Sequence, residues 1–489
     1  MPAFRKAFGT CHEIQNPATG SVIQECYITA IQQSLISLSY LFLSLGGCLS
    51  GIAGRYMGRR WSIQVGSAMA IVGAGSMLGT AGSFRNYMVC KCISAVGIGQ
   101  LLSASVTYGS ECIAAQRRGF GLGIYNIGLA MGNFASFAVC IGSAKLAPDN
   151  NWQWKTPIIC QIPLGILLGA GILMFPESPR WLLNKNREDE ARKSFGKLYQ
   201  RDPYSPEVTA QINDIKSHIE SERGPGTAIE SWLAIYRPNY IRRTAASAVI
   251  MIGLGITGIQ FVQPYATIFL RGVGISNPYL INVIIGLCIL GGACFGPFVI
   301  EYGGRRFALL FGYATMGVCM LVLSSVSTAL GMADMVARMV VVVFLCLWAF
   351  IFGGTVAPGA SLAAVEMHSV SLRTYGQANT MMLFGIFSFA ATFWTPYMLD
   401  PKYGNMGPNV GYFYAGVTMV IVALVYLLVP ETARLTLEQI DDCFNSGIKA
   451  WKTSTAQNKT LNRTGGKAPE RMAKRVEQKA DDEKAAGLR

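Results

Sequence analysis

"MFPESPRWLLNKNREDEARKSF", residues 174–195, leaves an apolar stretch and becomes charged within a few positions. Two prolines bracket Glu177 and Ser178, and Arg180 and Trp181 follow. A second seam of this kind, "LLVPETARLTLEQIDD", occupies residues 427–442. Two similar seams in one chain imply a duplicated design, and composition identifies the medium it lives in. Of 489 residues, 51% are hydrophobic and only 14% charged, against roughly 25% charged in soluble proteins. Eleven apolar stretches recur, near 32–54, 61–82, 88–110, 120–142, 157–175, 244–270, 279–300, 305–329, 337–362, 377–399 and 411–429. Each is about long enough to cross a hydrocarbon core of about 30 Å as a helix. The chain therefore reads as an all-α polytopic membrane protein.

The polar segments divide it. Residues 1–30 are polar, 31–183 form a first helix bundle, and 184–243 make a long break with helical charge spacing in "REDEARKSFGKLY". Residues 244–432 form a second bundle, and 433–489 a basic tail. Lysines and arginines concentrate in the break and the tail, which places both in the cytoplasm. The residues after Phe444 lack apolar periodicity and read as disordered. The sequons at Asn458 and Asn462 would go unused there. The formal charge of +14 reports orientation in such a protein, not nucleic-acid binding. Most of the thirteen cysteines lie inside apolar stretches, as small buried hydrophobes. Cys11 and Cys26 stand in the polar leader and can pair if it faces an oxidising side. No CxxC pair or metal-ligand spacing occurs, so neither a metal nor a cofactor is expected. "GIG" at 97–99 and "GFGLG" at 119–123 sit in membrane helices with no preceding strand, where glycine serves packing. An enzyme is not expected.

The duplication can be tested by offset. Gly58-Arg59-Arg60 recurs as Gly304-Arg305-Arg306, a shift of 246. Glu111 and Arg118 recur as Glu366 and Arg373, both shifted by 255, and Pro176-Glu177 recurs as Pro430-Glu431, shifted by 254. Four features in one order with nearly one shift indicate two homologous halves, a construction found in secondary transporters. Two apolar stretches precede Gly304 within its half, but one precedes Gly58. The sequence thus reads as though a first helix were absent, with residues 1–30 in its place.

These motifs resemble the sugar-porter branch of the major facilitator superfamily, closest to fungal-type hexose, quinate and polyol permeases, from Met1 to about Phe444. "PESPRWL" at 176–182, the paired "GRR" motifs, "YGSE…RRG" at 108–119 and "PETARLTLEQID" at 430–441 carry the likeness together. The resemblance implies a two-bundle fold and alternating access. It also implies a gating charge network of Arg59, Arg60, Glu111, Arg118, Glu177, Arg180, Arg305, Arg306, Glu366, Arg373 and Glu431. In it Glu177 can pair with Arg59, Arg60 and Arg118, and Glu431 with Arg305, Arg306 and Arg373, while Glu111 and Glu366 are further members. A plainer reading is that these charges only anchor helix ends.

In the family, amides hold sugar hydroxyls. Here the fifth-helix glutamine aligns with Asn126, the seventh-helix glutamine pair with Leu254 and Gly255, and the following asparagine with Gln260. Tyr265 keeps one family tyrosine. The tenth-helix tryptophan aligns with Ser361, and the eleventh-helix asparagine-tryptophan pair with Phe384 and Gly385. Substrate-contact candidates are accordingly Asn126, Thr257, Gln260, Gln263 and Tyr265, each of which could instead make only an interhelical bond. The lost amides argue against tight hexose binding, since an unpaired buried polar group costs about 1–3 kcal/mol. Proton-coupled members carry an aspartate on the first helix opposite an arginine on the fourth. Here the first helix reads as absent and Lys91 holds the arginine position, which leaves a coupling proton open. Arg55 replaces the usual aspartate of the first-half loop motif, and Glu301 keeps the acid in the second. The expected partners are a small solute and membrane lipid, with no nucleic acid; the expected setting is a monomer in the plasma membrane. A transporter of a less polar metabolite, or a sensor that transports nothing, are the rival readings.

Overall fold

The computed structural model describes residues 2–15, 22–80, 82–113, 118–222, 228–263, 278–331, 334–369, 372–400, 402–435, 437–445 and 449–458. A short helix α1 (Pro2–Phe8) leads into an antiparallel hairpin of β1 (Thr10–Gln15) and β2 (Val22–Tyr27), in which Cys11 faces Cys26. The two form a disulfide. The first bundle then runs through α2 (Ala30–Ile36), α3 (Leu38–Tyr56), α4 (Arg59–Met77), α5 (Phe84–Cys112), α6 (Arg118–Ala144), α7 (Trp152–Ile159) and α8 (Gln161–Gly171). Four connecting helices follow: α9 (Pro179–Asn184), α10 (Glu188–Tyr199), α11 (Pro206–Glu222) and α12 (Ala228–Ala234). The second bundle comprises α13 (Pro238–Ile256), α14 (Pro278–Phe298), α15 (Arg305–Leu330), α16 (Met335–Ile351), α17 (Ala357–Glu366), α18 (Arg373–Leu399) and α19 (Val410–Leu428). A last helix, α20, spans Leu437–Asn445.

Among the described residues, ten helical spans are long and apolar enough to cross a membrane. The remaining stretch counted from the sequence is α4, a helix of 19 residues that opens on two arginines and is rich in serine and glycine. Its polarity is spent on neighbours: Gln100 donates to the Ser62 carbonyl at 3.0 Å, and Ser67 to that of Gly165 at 2.6 Å. Water gives no driving force between helices inside lipid, so close packing and such bonds must supply it.

Local chemistry sets the element ends. Thr29 and Gln32 close a capping box on α2. Ser178 caps α9, whose first residue is Pro179, so the serine and second proline of "PESP" start a helix. Glu188, Asp189 and Glu190 fill the first turn of α10, and Lys197 its last, each sign against the end of the helix dipole that favours it. The helices α9 to α11 bury Trp181, Leu182, Phe195 and Ile212 in a small core of their own.

The loops carrying Gly58, Glu111, Glu177, Gly304, Glu366 and Glu431 lie at one end of the bundles, called here the motif end. At the opposite end, α1 packs Ala3 and Phe8 against Met77 and Trp154, and Lys6 pairs with Asp149 at 2.7 Å. The bundles meet along two seams, α3 against α18 and α6 against α14.

The structure corrects the reading of the tail at residues 449–458; residues 459–489 lie outside those described. Residues 449–458 are ordered and packed: Ala450, Thr453 and Asn458 are buried against the second bundle. Their polarity, which looked like solvation, satisfies buried backbone groups.

Candidate functional site

At the motif end each half builds a node from the same parts. Gly58 precedes α4 with φ of +93°, a conformation glycine adopts without penalty. A Cβ there would lie 2.5 Å from Glu177 Oε2. The turn aims the first free N–H groups of α4 at that carboxylate: Arg59 N donates to Oε1 at 3.0 Å and Arg60 N to Oε2 at 3.2 Å. An anion on a helix N-terminus is favoured by both the free donors and the dipole. The Arg59 side chain turns inward and grips Glu111 with Nε at 3.0 Å and Nη2 at 2.8 Å, while Nη1 donates to the Gly54 carbonyl at 2.6 Å. Ser178 Oγ adds a donor to Glu111 at 2.5 Å. Arg60 points away and donates to the Leu173 carbonyl at 2.9 Å.

The second node repeats this wiring. Gly304 has φ of +101°. Arg305 N and Arg306 N donate to the Glu431 carboxylate at 3.0 and 3.1 Å. The Arg305 Nε lies 3.3 Å from Glu366, and Thr432 donates to that carboxylate at 2.7 Å, as Ser178 does to Glu111. Arg306 donates to the carbonyls of Tyr426 at 2.8 Å and Ala450 at 2.7 Å. The halves differ in what braces the node from outside. In the first, Ser194 of α10 donates to the Glu177 carbonyl at 2.6 Å. In the second, the tail does this: Glu431 N donates to Thr453 Oγ1 at 2.8 Å, and Asn458 Nδ2 to the carbonyls of Glu431 and Ala433, both at 3.1 Å. Behind it, Arg243 pairs with Asp441.

The sequence brought the right residues together but paired Glu177 with the arginines of its half and Glu431 with those of the other, and the side-chain pairing observed is different. Glu177 and Glu431 bind backbone N–H groups, while the guanidinium groups of Arg59 and Arg305 go to Glu111 and Glu366. Both nodes close within their own half. Arg373 is buried, donates to the His368 carbonyl at 3.4 Å, and its charge acts on Glu111 from the other half. Arg180 is half-buried in the first turn of α9. Arg118 opens α6, and its side chain lies outside those described, as does Tyr265.

Two motif-end features escaped the sequence. Arg55 Nη1 donates to the Tyr375 hydroxyl at 2.5 Å, with its guanidinium 5.7 Å from the ring centroid. This joins α3 of one half to α18 of the other. Trp232 of α12 packs edge-on against the same tyrosine at 6.1 Å. His368 is buried between Arg373 and Arg243; burial first, then the two positive charges, push its pKa down to about 3, so it is neutral at physiological pH.

Towards the membrane interior, Asn126 donates to the Leu122 carbonyl of its own helix at 3.0 Å and accepts from Ser361 Oγ at 3.4 Å, across the halves. Helix α13 ends at Thr257, whose hydroxyl bonds back to Gly253 at 2.7 Å. Gly258 breaks the helix with φ of +113°, and a helical turn resumes at Ile259. That break presents Gln260, which is 6% exposed, to Thr392 of α18 at 3.5 Å. Gln263 is half-buried at the end of the described turn. Leu254 and Phe384 pack on the second bundle's core, and a Cβ at Gly255 would lie 3.1 Å from Ser388 Oγ.

Comparison with known proteins places this geometry among relatives. Residues 1–444 match the family model described as "Sugar (and other) transporter". A high-affinity fructose transporter of Schizosaccharomyces pombe is 29% identical over 436 residues, covering 88% of this chain and 80% of that protein. A high-affinity glucose transporter of the same yeast is 30% identical over 433 residues, covering 87% and 80%. Among solved structures, the major facilitator superfamily proton:xylose symporter from E. coli, bound to 6-bromo-6-deoxy-D-glucose, superposes with a TM-score of 0.72. Its identity is 19%, and the match covers 84% of this chain and 89% of that one.

Proposed function

The chain belongs to the sugar (and other) transporter family, and on that premise we propose that it carries a small sugar or polyol across the plasma membrane by alternating access, with its motif end in the cytoplasm. Family membership makes it a secondary membrane transporter, and cargo and orientation are the proposed parts. Orientation follows from the lysines and arginines of 184–243 and of the tail, which favour the cytoplasmic side. Both walls of the pore come from one chain, so a monomer is the working unit.

The observation that carries the cargo reading is the pore wall. The family's sugar-holding amides give way to Leu254, Gly255 and Phe384, and the Asn126 oxygen already accepts from Ser361. If each lost bond is worth about 1 kcal/mol, three weaken hexose binding by roughly two decades. Glucose is then a poor cargo, and a solute needing fewer hydroxyl contacts a better one.

The test is radiolabelled uptake of glucose, fructose, xylose and sorbitol by a yeast lacking its own hexose carriers. Saturable uptake of at least one is expected, with glucose roughly a hundredfold weaker than the best. Tight glucose uptake would overturn the cargo reading. No uptake of any, with the protein at the cell surface, would overturn transport.

A further inference from the structure

The tail segment that braces the second node also has an outer face. Residues Ala450–Lys452 form a single turn, and Arg306 fixes its depth. One guanidinium donates to the Ala450 carbonyl at 2.7 Å and to the Tyr426 carbonyl at 2.8 Å. Tyr426 lies in the last turn of α19, a membrane span, and both it and Leu427 are exposed. On the other flank, Thr455 donates to the Gly303 carbonyl at 3.2 Å, next to the exposed Tyr302. The turn therefore sits level with the span ends, between two exposed tyrosines. At that depth tyrosine and tryptophan mark the boundary between hydrocarbon and water.

The turn exposes Lys449, Trp451 and Lys452 there. The Lys449 ammonium lies 5.3 Å from the centroid of the Trp451 ring, close enough for the charge and the indole to attract each other. Among the described residues, neither lysine has an acidic partner. Glu431, the acid that this segment touches, already accepts from Arg305 N and Arg306 N. Two cations without a carboxylate, on either side of an exposed indole, complement a group that is anionic above and apolar below. The first node differs. Its Lys185 also stands over a tryptophan, Trp181, at 5.9 Å, but that ring is buried in the core of α9 to α11, and Ser194 of α10 supplies the brace.

We propose that Lys449, Trp451 and Lys452 bind the headgroup of an anionic phospholipid, and that the bound lipid holds residues 449–458 on the second node. The lysines meet the phosphate and the acidic headgroup, and the indole lies at the start of the acyl chains. Held there, the turn keeps Thr453 and Asn458 on the backbone of Glu431 and Ala433. Without anionic lipid the lysines gain nothing from the surface, and the tail leaves the node more often. The inference goes beyond transport and borrows only one part of the reading above. A cytoplasmic motif end faces the leaflet in which such lipids concentrate.

The test places the full chain in nanodiscs of phosphatidylcholine, alone or mixed with phosphatidylserine, and follows backbone hydrogen exchange of the peptide bearing residues 449–458. Exchange should be about tenfold slower with phosphatidylserine, the scale of two lysines at an anionic surface. Raising salt to about 0.5 M should shrink the difference, because both charges are exposed. Lys449→Gln with Lys452→Gln should abolish it, whereas arginine at both positions should keep it. Equal exchange in the two lipids, or a difference that survives the glutamine pair, overturns the proposal. So does soluble glycerophosphoserine that slows exchange equally in pure phosphatidylcholine, since the ligand is then a free phosphate and not a lipid. Nanodiscs show the same lipid on both faces and no solute is added. A wrong orientation or cargo above therefore leaves this result unchanged.

Discussion

Two arginines stand side by side at the start of α4, and their neighbours give them unlike tasks. Arg59 is buried and spends three donors on Glu111 and the Gly54 carbonyl. Arg60 is half-buried and donates outward to one carbonyl. Lysine cannot reproduce the two-pronged grip of Arg59 on a carboxylate, and breaking a buried pair costs about 3–5 kcal/mol because the partner charge stays buried. Arg59→Lys should therefore lower the melting temperature of the detergent-purified protein markedly, whereas Arg60→Lys should leave it within about a degree or two. Equal losses would show that the two positions are interchangeable. The sequence could not have told them apart, since "GRR" reads alike at both. It placed Glu111 and Glu366 in the network, because they recur at one offset, but assigned the arginines to Glu177 and Glu431. Tyr375 gave no such signal, being one tyrosine among twenty whose partner Arg55 lies 320 positions away.

The recurring elements of the nodes were legible, and their outer braces were not. A carboxylate set on a helix N-terminus leaves its own backbone to be satisfied, because buried N–H and C=O groups need partners. The connecting helix α10 does this for Glu177 through Ser194, and the tail does it for Glu431 through Thr453 and Asn458. The tail's composition resembles that of a solvated segment, so its reading as disorder followed from polarity alone. What composition cannot show is that Asn458, 2% exposed, has both side-chain hydrogens on carbonyls. Truncation after residue 458 should leave thermal stability unchanged, while truncation after residue 448 should lower it. Asn458→Ala alone should cost about 1–3 kcal/mol, the range for a buried group left without its bond. Should the two truncations melt together, the tail is ornament and the node stands without it.

For the whole molecule, the two halves are alike in wiring and unlike in what joins them. Each node is closed within its own half, so sliding one half past the other leaves the bonds of Arg59 to Glu111 and Arg305 to Glu366 intact. Rigid nodes of this kind let each bundle move as a body, which alternating access requires. The contacts that must break are the cross-seam ones, and at the motif end they include the bond of Arg55 to Tyr375. The resemblance places an aspartate at position 55, while the second half keeps an acid at Glu301. In this chain that change of sign puts a cation against an aromatic face and its hydroxyl. A hydrogen bond to a charged group is worth about 1.5–3 kcal/mol, and a cation over an aromatic ring about 0.5–2 kcal/mol. Arg55→Asp should remove both and bring a carboxylate towards the same hydroxyl, loosening closure at the motif end by about tenfold or more in population. Spin labels at Met57 and Tyr302, both exposed at that end, would report the distance between halves by pulsed electron resonance. The native protein should give one dominant short distance, Arg55→Asp a larger share of a longer one, and Tyr375→Phe a smaller change in the same direction, since it keeps the ring. A distance distribution unmoved by Arg55→Asp would mean that the motif end is held shut by the buried charges of Arg373 and Glu111 instead, and that the departure at position 55 is without consequence for the cycle.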